Sequence, residues 1–136
     1  MSAKAKPYLL DTSALLTLIE NEEGAEKVEA VLREQQTLIP WLCLLELHYI
    51  SQQERGNAEA NTRYALTKAL GSSLLWEADE TLLLTAASFK AKYRLSLADT
   101  IIAAFAVKHE AILLHKDPEY EVLKTEVTQE PLPYKR

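Results

Sequence analysis

Tyr8-Leu9-Leu10-Asp11-Thr12-Ser13-Ala14-Leu15-Leu16 is where the fold declares itself. Three apolar residues follow Pro7 and stop at a run of small polar ones, the pattern of a buried strand running into a helix start. From Ser13 to Glu20, Leu15, Leu16, Leu18 and Ile19 then recur at helical spacing. A short buried strand feeding directly into a helix is the opening half of a βαβ unit.

The same alternation continues along the chain. After Asn21 to Gly24 a second helix carries Val28, Val31 and Leu32 on one face, and Thr37-Leu38-Ile39 reads as the next strand. Pro40 suits the first turn of a third helix, which runs through Leu42 to Gln53 until Arg55-Gly56-Asn57 breaks it. A fourth helix spans about Ala58 to Leu70 and stops at Gly71, and Leu74-Leu75-Trp76 reads as a third strand. Asp79 caps a fifth helix to Tyr93 and Ser96 a sixth to His109, after which Ala111 to His115 is a fourth strand. Strands alternating with helices imply a parallel sheet of four to five strands with right-handed crossovers and helices on both faces, an α/β class.

The 136 residues, 48% of them hydrophobic, suffice for one compact domain spanning 1–136 and for one site. Residues 1–6 are expected to be loose, as are about 129–136, where Pro131 and Pro133 oppose regular structure. A formal net charge of -5 excludes a uniformly basic surface, so any nucleic acid would be held locally. Lys90, Lys92 and Arg94 cluster, but a solvated helix end explains them. The single cysteine, Cys43, lies between leucines, makes no intramolecular disulfide and suits a reducing compartment. The apolar run near the N-terminus is short and interrupted by Asp11, so neither a signal peptide nor a membrane span is expected, and the protein reads as soluble and cytoplasmic.

In a parallel sheet, ligands bind outside the carboxyl ends of the strands. Asp11 follows the first strand and Asp117 follows the fourth with only Lys116 between. Each has a plainer explanation: Asp11 as a helix N-cap, Asp117 before Pro118 as a turn residue. Two further acids stand inside apolar helices, where a carboxylate without a partner costs several kcal/mol, on the order of a buried-charge penalty. Glu46 interrupts Trp41 to Ile50, and Asp99 precedes the run Ile101 to Val107, although Ser96-x-x-Asp99 also resembles a capping box. His48, two residues from Glu46, points elsewhere on a helix and is left out of the site.

Taken together, two strand ends and two apolar helices each offering one carboxylate point to a shared pocket. Such carboxylates repel one another unless cations neutralise them. All-oxygen ligands select Mg²⁺ or Mn²⁺, and no Cys/His grouping has zinc-ligand spacing. An ion of that kind polarises phosphate and lowers the pKa of a bound water, so the implied reaction is phosphodiester hydrolysis. No nucleophilic serine, cysteine or histidine arrangement competes, and three glycines leave no glycine-rich phosphate loop.

The same residues resemble a known family. Leu9 to Leu16, Leu44-Leu45-Glu46-Leu47, Ser96 to Ala103 and Leu113-Leu114-His115-Lys116-Asp117, in that order, look like the motifs of a PIN domain, specifically the VapC-type toxin ribonucleases of toxin-antitoxin pairs. The resemblance covers nearly the whole chain. It implies that Asp11, Asp99 and Asp117 ligate Mg²⁺ or Mn²⁺, that Glu46 completes the metal pocket by positioning water or helping a second ion, and that the substrate is RNA. It also implies an antitoxin partner seated in the active-site cleft, and a homodimer. Leu15, Ile19, Leu44 and Tyr49 would suit such a groove, or equally the core. The last motif departs from the family, which commonly has threonine where this chain has His115. Lys116 beside it could contact phosphate or neutralise the pocket in place of a metal. The rival reading is a PIN-like module that binds protein or RNA without catalysis. A haloacid-dehalogenase-type phosphatase would need an aspartate where Ser13 stands.

Overall fold

A computed structural model describes residues 5–136. The elements run β1 (Tyr8–Leu10), α1 (Thr12–Ile19), α2 (Ala25–Glu34), β2 (Thr37–Pro40), α3 (Trp41–Arg55), α4 (Asn57–Lys68), β3 (Ser73–Leu75), α5 (Glu80–Lys92), α6 (Leu97–Lys108), β4 (Ile112–His115) and β5 (Gln129–Pro131). A 3₁₀ segment, Pro118–Leu123, joins the last two strands.

The five strands form one parallel sheet in the order β3-β2-β1-β4-β5. The chain winds outward from β1 to β3, then returns through α5 and α6 to place β4 on the other side of β1. Right-handed crossovers therefore put α1 to α4 on one face and α5 and α6 on the other. The winding reverses between β1 and β4, so their carboxyl ends flank the crevice where such sheets take ligands. Tyr8 pairs with Ile112 and Leu10 with Leu114, and the Asp11 amide donates to the Leu114 carbonyl at 3.0 Å. That register sets Asp11 level with the start of the His115-Lys116-Asp117 turn.

The inner strands β1, β2 and β4 are mostly apolar because both faces are covered: Leu9, Leu10, Ile39, Leu113 and Leu114 are fully buried. Leu15, Leu44, Leu47, Ile102 and Phe105 cover them from the helices. Of the residues weighed for a partner groove, Leu15 and Leu44 belong to this core, whereas Tyr49 is exposed. Cys43 is a buried free thiol, its pKa held well above the usual value by burial.

Two expectations are corrected. The third strand is Ser73–Leu75 rather than Leu74 to Trp76, because its partner β2 ends at Pro40, opposite Leu75, and leaves Trp76 nothing to pair with. The tail is not loose: Gln129–Pro131 forms the edge strand β5, and the Leu132 amide donates to the His115 carbonyl at 2.7 Å. Beyond it Leu132 is buried and Lys135 pairs with Glu22 at 3.0 Å. Gly24, at φ +103°, opens α2 against this tail, and a Cβ there would stand 3.3 Å from Pro133 Cδ. At the other end, residues 1–4 of the stretch 1–6 lie outside the described residues, and Ala5 and Lys6 take no regular structure.

Candidate active site

Asp11 stands at the end of β1 with an extended backbone and caps α1. Its Oδ2 accepts from the Ser13 amide at 3.0 Å and from the Ser13 hydroxyl, while its Oδ1 accepts from the Tyr120 hydroxyl at 2.8 Å. One oxygen thus caps the helix, and the other meets the Tyr120 hydroxyl. Ser13 Oγ in turn accepts from the Lys116 amide at 2.8 Å, tying the exit of β1 to the exit of β4.

Asp99 lies in the first turn of α6, where its amide donates to Ser96 Oγ at 3.1 Å. Half of the capping box is therefore present. The Asp99 carboxylate goes elsewhere: Oδ1 is 3.1 Å from the same Tyr120 hydroxyl. Asp117 caps the 3₁₀ segment by accepting from the Glu119 amide at 3.0 Å. Glu46 reaches the crevice from α3 and accepts from the Thr12 hydroxyl at 2.8 Å.

These groups feel one another. Burial, then the charges of Asp11, Asp117 and Glu46, push the Asp99 carboxyl up to about 7, against the lowering effect of the Tyr120 hydrogen bond. Burial likewise raises Glu46, with Asp11 and Asp117 adding to it and the Thr12 hydroxyl opposing. Asp99, Asp117 and Glu119 each offer an oxygen within 4.8 Å of the others. Of the four expected acids the structure brings Asp99 and Asp117 together, with Glu119, an exposed residue that sequence reasoning missed, as the third member of the cluster; Asp11 and Glu46 lie outside it but near enough for their charges to act on Asp99.

His115 does have a place. It is fully buried, its Nδ1 accepts from the Asp117 amide at 3.1 Å, and its Nε2 lies 2.9 Å from Gln129 Oε1. An amide oxygen only accepts, so Nε2 carries the proton and Nδ1 is free to take the Asp117 amide. Burial lowers the His115 pKa, which keeps the ring in this neutral form at pH 7. The Lys116 side chain is 5% exposed, and its ammonium pairs with Glu22 at 3.7 Å. His48 bonds Asn61 on the far side of α3, consistent with its exclusion.

A cleft of about 280 Å³ lined by Ser13, Leu16, Glu20, Lys116, Asp117 and Lys135, among others, opens beside Asp117. A larger hollow of about 560 Å³ between Thr81, Leu84, Phe89 and Val107 lies away from these acids, and the chemistry does not follow its size.

A doubly wound parallel sheet whose switch point gathers carboxylates from β1, β4, α3 and α6 defines an α/β protein with an all-oxygen acidic pocket. The PIN domain family model matches residues 8–125, and the chain belongs to that family. Solved structures share the fold. VapBC2 from Rickettsia felis, bound to a promoter DNA fragment, is 13% identical with a TM-score of 0.76, over 91% of this chain and 97% of that one. VapBC-1 from nontypeable Haemophilus influenzae is 18% identical with a TM-score of 0.72, over 91% and 96%. VapC20 of Mycobacterium tuberculosis, a toxin that cleaves the sarcin-ricin loop, is 12% identical with a TM-score of 0.71, over 89% and 96%. No curated protein matches the sequence. Among the described residues no helix is long and apolar enough to cross a membrane.

Proposed function

We propose that the chain is a Mg²⁺- or Mn²⁺-dependent endoribonuclease and the toxin of a VapBC-type toxin-antitoxin pair, acting in the cytoplasm. The observation that carries this reading is the convergence of Asp99 and Asp117 oxygens within 4.8 Å, where burial and the neighbouring carboxylates disfavour the charge on Asp99. Carboxylates crowded in this way fit a hard divalent cation, which removes their repulsion and accepts oxygen donors only. Asp11, Asp99 and Asp117 would hold the ion, with Glu46 completing the set.

When bound, such an ion supplies Lewis-acid polarisation of a phosphoryl oxygen and a water of lowered pKa. The protein's part is placement. Ser13 fixes Asp11 from one side, His115 fixes the Asp117 main chain, and Thr12 holds one oxygen of Glu46. A carboxyl raised by burial is a stronger base than a solvated one, so Glu46 suits taking the proton of the attacking water. Water oxygen bonds to phosphorus, one ester P–O bond breaks, and the departing oxygen leaves as a hydroxyl by taking a proton from solvent water, to which Glu46 returns the one it removed. RNA is the substrate and a cognate antitoxin the regulating partner. Leu45 and Tyr49, exposed on α3 beside Glu46, offer an apolar ledge for that partner, and the chain is taken to act as a homodimer.

A panel of structured and single-stranded RNAs, incubated with the purified chain and Mn²⁺ or Mg²⁺, tests the reading. Cleavage should occur, stop on chelation with EDTA, and fall at least 100-fold in Asp99→Asn with the circular dichroism spectrum retained. Cleavage that survives EDTA or Asp99→Asn would sink the metal assignment, and metal binding without cleavage would favour the non-catalytic module.

A further inference from the structure

Tyr120 is the fully buried phenol of the 3₁₀ segment, and it is fixed at both ends. Its ring packs against His115 with centroids 4.9 Å apart, and its carbonyl accepts from Gln129 Nε2 at 2.8 Å, the amide whose oxygen His115 already holds. From that anchored ring the hydroxyl reaches Asp11 Oδ1 at 2.8 Å and Asp99 Oδ1 at 3.1 Å. Asp11 belongs to the strand layer and Asp99 to a helix on the face opposite α1. Among the described residues this hydroxyl alone hydrogen-bonds to both.

Packing does not require the oxygen. A phenylalanine ring would fill the same space, and a buried hydroxyl is a cost unless bonded. A carboxylate offers about four acceptor sites. At Asp11, Ser13 occupies two on Oδ2 and Tyr120 one on Oδ1, leaving about one, again on Oδ1. The oxygen that keeps a free site is the one the phenol steers.

We infer that Tyr120 is a positioning residue of the metal site, its hydroxyl setting the separation and orientation of the Asp11 and Asp99 carboxylates that receive the divalent cation. The inference rests on the metal-site reading above. Groups one step out from the ligands, when removed, typically weaken metal affinity by about 10–100-fold.

The test is calorimetric titration of Mn²⁺ into the full chain and into Tyr120→Phe, with metal-free melting curves of both. The variant should bind Mn²⁺ about 10–100-fold more weakly while melting within a few degrees of the parent. Equal Mn²⁺ affinity, with or without a lowered melting point, would overturn the inference and leave the metal site standing. So would an equal loss in Tyr134→Phe, whose hydroxyl bonds Glu121 outside the pocket at 3.2 Å. Absence of Mn²⁺ binding to the parent chain would overturn the metal-site reading itself, and the inference with it. Should Tyr120→Phe not fold, fluorotyrosine-labelled parent chain supplies the answer by ¹⁹F NMR. The resonance most broadened by Mn²⁺ should shift on saturation with Mg²⁺, and a Mg²⁺ titration that moves no resonance would overturn the role.

Discussion

Asp99 is the residue through which solution pH should speak. Its carboxyl is moved from an ordinary 3.8 to about 7, so the folded chain holds a proton there that the unfolded chain has released. Between those values the native state binds more protons, and stability without metal must fall as pH rises from about 4 to about 7. Urea midpoints measured across that range should decline in the parent chain and stay flatter in Asp99→Asn, which carries no titrating group. A cation must displace the same proton, so Mn²⁺ affinity should climb with pH up to about 7 and then level off, with proton release detectable as buffer-dependent heat. The acids of the pocket were legible in the sequence because a charge inside an apolar helix demands an explanation, as at Glu46 and Asp99. Their partners were not. Tyr120 looks like any aromatic near a chain end, and only the 3₁₀ geometry, with three residues per turn, returns it to the side of Asp117.

Among the elements, helices and inner strands follow from periodicity and caps: Asp79 and Ser96 were readable as N-caps, and both accept from the amide three residues on. The edge strand was not readable. Gln129-Glu130-Pro131 has neither alternation nor β-branched residues, and pairing with Leu113, Leu114 and His115 makes it a strand. Proline is tolerated there because an edge strand needs amides on one side only. This strand also carries Gln129, which orients His115 and, through it, the Asp117 amide. Deleting residues 129–136 should therefore lower the melting temperature by more than a few degrees and weaken Mn²⁺ binding as well. An unchanged melting curve in the truncated chain would show that β5 is dispensable.

For the whole molecule, the pocket is a place where the fold carries uncompensated repulsion, and a ligand that relieves it should stabilise every element at once. Mn²⁺ at 100 times its dissociation constant should add about 2.7 kcal/mol to unfolding, visible as a rise of several degrees in melting temperature that EDTA reverses. Absence of any rise would mean that the ion does not distinguish folded from unfolded chain. The sheet order has a consequence for biosynthesis. The hydrogen bond from Tyr120 to Asp11 joins residues 109 apart, and β4, though interior to the sheet and paired with β1, is the fourth strand to be made. A ribosome translating this chain makes Asp11 early and the tyrosine that pairs with it 109 residues later. The acidic pocket of such a chain cannot assemble until β4 and the 3₁₀ segment have both been made, whatever the state of the strands before them.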